Sequence, residues 1–152
     1  MSSRSAGLLV YRQRADQLEV LLVHPGGPFW VKRDEGAWSI PKGEFADGED
    51  PLVAARREFQ EELGVPAPIG PVRSIGSIRQ AGGKIVDAWA VEGDLDVKNI
   101  KSNTFELEWP PRSGLMHTFP EVDRAGWFDQ QTARRKINAS QATLLDRLEV
   151  VP

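Results

Sequence analysis

The stretch from Asp50 to Pro68 constrains the chain most, because both ends of one helix are written into it. Asp50 is suited to accept the first free backbone N–H of a helix, and Pro51 to occupy the first helical position, where its missing N–H costs nothing. Leu52, Ala55, Phe59 and Leu63 recur at helical spacing and make an apolar stripe. Gly64 suits the stop, and Pro66 and Pro68 forbid continuation. A helix over residues 51–63 with such a stripe must lie on something apolar, and the flanking segments supply strands. Residues 8–11 and 18–24 read as strands with a polar connection over 12–17; the Pro25-Gly26-Gly27-Pro28 run opens a loop. Residues 38–40 read as a short strand ended by Pro41, and 47–50 as a polar turn. Residues 72–79 and 84–91 read as a hairpin turning near Gly82-Gly83. Residues 105–109 form a further strand before Pro110-Pro111, and 126–128 a buried strand end. Residues 129–136 and 140–148 read as short helices, the second with Leu144, Leu145 and Leu148 at core spacing. Strands interleaved with helices predict an α/β sandwich around a mixed sheet. With no repeat or linker in 152 residues, one domain is expected over 1–152.

Composition narrows the chemistry. The chain has no cysteine and two histidines, so a bound metal must sit mainly on oxygen, which points to hard cations such as Mg²⁺ or Mn²⁺. The net charge of −3 and the lack of a basic cluster argue against a general nucleic-acid binder. The apolar run Leu8-Leu9-Val10 is too short for a signal peptide core or a membrane span, so a cytoplasmic location is expected. His24 and His117 stand far apart and read as ordinary surface or loop residues.

The helix carries more than a core stripe. With Glu58 at zero degrees, Glu62 falls about 40° to one side and Glu61 about 60° to the other. Three carboxylates therefore share one face, with Ala54 leaving room a turn earlier. Each like-charged pair costs a few tenths of a kcal/mol, roughly, and the helix C-terminus disfavours negative charge further. A divalent cation would compensate, bridge phosphate oxygens and polarise phosphorus, while one carboxylate takes a proton from attacking water. Gly43 lets backbone approach a ligand closely, the Lys42 carbonyl is a candidate metal ligand, and the Lys42 ammonium can neutralise phosphate charge. Arg57, one turn before Glu61, is placed to pair with it. A merely solvated acidic face is the plain alternative for the carboxylates taken alone.

The full spacing goes further. Gly43, five residues, Glu49, seven residues, then Arg57-Glu58-Phe59-Gln60-Glu61-Glu62-Leu63-Gly64-Val65 resembles a complete Nudix box. Seven fixed matches of this kind arise by chance on the order of once in 10⁸ start points. The segments Trp38-Ser39-Ile40-Pro41-Lys42-Gly43 and Gly126-Trp127-Phe128 also resemble that family. The resemblance implies an α/β/α sandwich with a central mixed sheet, and hydrolysis of a diphosphate bond in a nucleoside diphosphate joined to another group. It implies Mg²⁺ or Mn²⁺ held by Glu58, Glu61 and Glu62, catalytic roles for Glu58, Glu61 and Arg57, and Arg57 orienting Glu61 or Glu49. Glu49 is expected to shape the loop. A further acid often comes from downstream, for which Glu108 and Glu121 are the candidates.

Substrate identity is less legible. The proline that marks the ADP-ribose type and the tyrosine that marks the diadenosine polyphosphate type are both missing from the region of Gln80-Ala81-Gly82-Gly83. Even so, Gly7-Leu8-Leu9-Val10-Tyr11 and residues 38–43 resemble the diadenosine polyphosphate enzymes in style. A dinucleoside polyphosphate or a nucleoside triphosphate is the expected substrate class. Trp89 and Trp109 are candidate stacking platforms, with a core role as the alternative, and Arg112 is a candidate phosphate clamp. Two rival readings stand beside hydrolysis: a non-catalytic nucleotide-binding or regulatory module on the same fold, and a purely structural domain. The intact carboxylate set argues against the former.

Overall fold

The computed structural model describes residues 4–148. In chain order the elements are β1 (Arg4–Arg14), β2 (Gln17–Pro25), β3 (Lys42–Glu44), α1 (Pro51–Leu63), β4 (Val72–Arg79), β5 (Ile85–Glu92), β6 (Thr104–Glu108), β7 (Met116–Pro120), β8 (Val122–Asp129), α2 (Gln130–Lys136) and α3 (Ala142–Asp146). The main sheet runs β4-β5-β1-β2-β8, with β3 also paired to β1. It is mixed: β1 lies parallel to β5, with Leu8 opposite Trp89, and antiparallel to β2 and β3.

Alternation along β1 sorts its side chains between two cores. Leu8 and Val10 join Ala54, Ala55, Phe59 and Leu63 of α1 on one face, while Leu9 joins Ala133, Ile137, Leu144 and Leu145 on the other. Helices thus cover both faces, and the expected α/β/α sandwich is what the chain forms. Because both faces are covered, the central strands bury nearly every residue rather than every second one. Burial of Phe59, which has no exposed surface, contributes about 1.5–3 kcal/mol and anchors α1 to the sheet.

The helix ends where expected. Asp50 accepts the Val53 N–H at 3.1 Å, and Gly64 closes the last turn at φ 75° with its N–H on the Gln60 carbonyl at 2.7 Å. Three local expectations need correction. The connection between β1 and β2 is only Ala15 and Asp16, both at positive φ, because the strands twist together through the polar residues 12–14 as well. Residues 38–40 are not a strand; Ser39 makes an isolated bridge to Val23 and Trp38 one to Ile137, and the strand that pairs with β1 lies just beyond Pro41. The strand expected at 105–109 is β6, and it pairs with a further strand, β7, in a separate two-stranded sheet. Residues 149–152 and 1–3 lie outside the described residues.

Candidate active site

Glu58, Glu61 and Glu62 leave α1 on the side facing β3 and the segment before β8. Glu58 is 9% exposed and receives Arg57 Nη1 at 2.8 Å. The same guanidinium nitrogen reaches Glu61 at 3.3 Å, and the other face of Arg57 forks onto Glu49 with two bonds of 3.1 Å. Arg57 therefore bonds Glu61 and Glu49 together, and its fork onto Glu49 ties the entry loop to the helix. This shared pairing raises the Arg57 pKa further, with the Glu49 bond the main cause, so the cation is permanent.

Glu62 faces the other way along the same surface. Its Oε1 accepts the Lys42 backbone N–H at 3.3 Å. The β1–β3 register explains why that donor is free: the Leu8 N–H to Pro41 carbonyl bond marks one bonded rung, so Lys42 opposite Gly7 falls on the rung between, and its N–H and C=O turn away from β1. Gly43 is required by space. A Cβ built there would overlap the Glu58 carboxylate, so backbone and carboxylate share one small volume.

Glu121, just before β8, completes the acidic surface. A backbone relay holds it: Asn103 N–H donates to the Glu61 carbonyl at 2.8 Å, Glu121 N–H to the Asn103 carbonyl at 2.8 Å, and Gly26 N–H to the Glu121 carbonyl at 2.9 Å. The electrostatics match this crowding. Burial, then Glu61, pushes Glu58 and Glu121 above the ordinary carboxylate range. Burial pushes Glu62 up to about 8 against the pull of Lys42, and burial lowers Lys42 in turn. These are acidic groups short of positive charge. Among the described residues no three acidic or histidine side chains close into a cation cage. The donor set nonetheless suits a hard divalent ion: carboxylate oxygens, a free backbone carbonyl and a glycine without which the carboxylate has no room.

Beside these groups lies a cavity of about 390 Å³, lined among others by Lys42, Glu62, Glu121, Trp30, Gln80 and Ser140. Its size falls in the range of small-molecule sites. Trp30 is its aromatic wall, a role the sequence reading gave to other tryptophans. Trp89 packs against the α1 core, and Trp109 stacks edge-on to Phe29 at 5.1 Å. Neither lines the cavity, nor does Arg112. Glu108 accepts the Arg112 N–H at 3.0 Å and closes the β6–β7 hairpin; the fold brings Glu121, not Glu108, to the helix carboxylates. Nothing in the sequence pattern marks Trp30 or Gln80, which come to one cavity only through folding.

His24 corrects another expectation. It is fully buried on β2, with Nδ1 2.8 Å from Asp123 Oδ1 and Nε2 2.6 Å from the Arg33 carbonyl. It pins the loop carrying Trp30 to the sheet. Its place in a strand covered on both faces was the signal for burial. His117 is exposed on β7, as expected.

A 62-residue segment is 40% identical to an RNA pyrophosphohydrolase of Caulobacter vibrioides, covering 38% of this chain and 36% of that protein. A 65-residue segment is 37% identical to an asymmetrical bis(5'-nucleosyl)-tetraphosphatase of Caenorhabditis elegans, covering 43% of each. An 8-oxo-(d)GTP phosphatase of Mycolicibacterium smegmatis is 28% identical over 144 residues, 87% of this chain and 40% of that one. The chain spans less than half the length of these curated relatives. Among solved structures, a C. elegans Ap4A hydrolase binary complex matches with a TM-score of 0.63 at 23% identity, covering 95% of this chain and 93% of that one. The NUDIX domain of Shewanella oneidensis NrtR complexed with ADP ribose matches with a TM-score of 0.65 at 16% identity, over 97% and 86%. These two share the fold. The family model of the NUDIX domain matches residues 1–148, and with the box, the fold and the carboxylate helix all in place, the chain belongs to the NUDIX domain family.

Proposed function

We propose that the protein is a metal-dependent pyrophosphohydrolase acting on a nucleoside diphosphate-linked substrate such as a dinucleoside polyphosphate or a nucleoside triphosphate. The observation that carries this reading is one acidic surface, made of Glu58, Glu61, Glu62 and Glu121, opening beside a cavity with a cation, Lys42, at its rim. The names of the relatives support it, since each acts on a nucleotide or RNA phosphate.

Glu58, Glu61 and Glu62, with the Lys42 carbonyl and Glu121, would hold Mg²⁺ or Mn²⁺. When bound, such an ion neutralises phosphate charge and makes phosphorus more electrophilic. The chain's own residues do the rest. Arg57 keeps Glu58 and Glu61 in register by holding both with one nitrogen. Lys42 meets the charge of the phosphate chain as a compact cation. Water adds to phosphorus, the P–O bond to the leaving phosphate breaks, and the water proton passes to a carboxylate of Glu58 or Glu61. Removal of the base is worth orders of magnitude, by analogy with general acid–base contributions of about 10²–10⁴. The test is a panel of nucleoside triphosphates, dinucleoside polyphosphates, ADP-ribose and nucleotide sugars with and without Mg²⁺. Turnover that vanishes in E61Q and E58Q proteins of unchanged melting temperature is the expected result. Full activity in either variant removes that residue from the mechanism. Tight binding without product under every metal condition favours a non-catalytic nucleotide-binding module instead.

A further inference from the structure

Gln80 lines the same cavity as Trp30, and its amide orientation is dictated from inside the protein. The chain of constraint starts at backbone. Ile40 N–H donates to Gln141 Oε1 at 3.0 Å, and a backbone N–H can only donate. That fixes the fully buried Gln141 with its amide nitrogen outward, donating to Ser39 Oγ at 3.0 Å and to Gln80 at 3.1 Å. Ser39 is compatible, because its hydroxyl proton is spent on the Ile40 carbonyl at 2.7 Å. The atom of Gln80 that meets Gln141 must therefore be its oxygen. Its NH₂ group is left with two N–H donors and no partner among the described residues. The backbone of Gln80 is held as well, by its N–H on the Lys84 carbonyl at 2.7 Å across the β4–β5 turn. Nearby, Asn138 is turned the same way: its oxygen takes the Ser140 hydroxyl proton at 2.6 Å, and its nitrogen faces the Trp38 carbonyl at 3.4 Å.

The cavity thus presents donors on one wall and the partly exposed indole of Trp30, 37% accessible, on another. We propose that Gln80 is a specificity-determining residue that selects, for the ring bound against Trp30, a base bearing an exocyclic keto oxygen over one bearing an amino group. This rests on the nucleotide-substrate reading above. A keto oxygen accepts from the fixed NH₂ group, whereas an exocyclic amino group sets donor against donor and strands both. Gln80 cannot adapt by flipping, since a flip turns its nitrogen onto the Gln141 nitrogen.

The experiment uses base pairs that differ at that one group. kcat/KM is measured for ITP against ATP and for UTP against CTP, and IMP and AMP binding by calorimetry, in wild type, Q80E and W30A. Wild type is expected to favour the keto member by about tenfold, the size of one hydrogen bond made rather than opposed. In Q80E one carboxylate oxygen still accepts from Gln141 and the other offers the cavity an acceptor, so the preference reverses. W30A weakens both members of each pair alike. Equal handling of keto and amino bases by wild type, an unchanged ratio in Q80E, or no binding of either monophosphate overturns the inference. A keto preference in binding that Q80E reverses, with no turnover of any substrate, upholds it and defeats the proposed activity instead.

Discussion

Replacing Gly43 by alanine tests the physical core of the site. The added Cβ falls on the Glu58 carboxylate, so one of the two must move. Glu58 is held by Arg57 and walled in at 9% exposure, and Gly43 is held by β1 opposite Ala6. Overpacking of this kind costs about 1–3 kcal/mol. In an E58A background the obstructing carboxylate is gone, and the same G43A change should cost close to nothing. A double-mutant cycle read by urea denaturation should therefore return a coupling energy near the whole cost of the single G43A change. The same cycle read by Mg²⁺ titration, with melting temperature as the signal, should show G43A weakening the ion's stabilising effect in the otherwise unchanged protein. Additive costs, with G43A equally harmful whether or not Glu58 is present, would refute the claim that this glycine exists to make room for that carboxylate.

Glu62 sits at about 8 in the folded chain against 4.5 for an ordinary glutamate, so the folded state holds a proton that the unfolded state has lost across that window. Stability of the metal-free protein should thus fall as pH rises from about 5 to 8, by up to a few kcal/mol from this group. E62Q should flatten that part of the curve in chelator, and parallel melting-temperature profiles for the two proteins would contradict it. Replacing His24 by leucine removes the buried imidazole that contacts both the Arg33 carbonyl and Asp123, for a loss of about 1–3 kcal/mol in denaturant unfolding. Faster amide exchange at Arg33 and Trp30 should accompany that loss, whereas unchanged exchange there would show that the imidazole does not hold the loop.

Much was legible in the sequence because it is local. The helix over 51–63 has its cap, proline, stripe and glycine stop within a few residues, and the angular placement of Glu58, Glu61 and Glu62 needs only 3.6 residues per turn. The spacing of Arg57 one turn before Glu61 belongs to the same class. Periodicity, capping and charge spacing are properties of near neighbours along the chain, and the chain by itself was enough to state them. What only the tertiary structure decided lies between distant segments. The choice of Glu121 over Glu108 came from a backbone relay through Asn103 to α1. Trp30 became a cavity wall because buried His24, in contact with Asp123 99 residues later and with the Arg33 carbonyl, holds the loop down. The direction of the Gln80 amide was set by a residue 61 positions later. Such facts depend on which backbone donors remain free once the sheet and helices have packed, and no spacing along the chain encodes that.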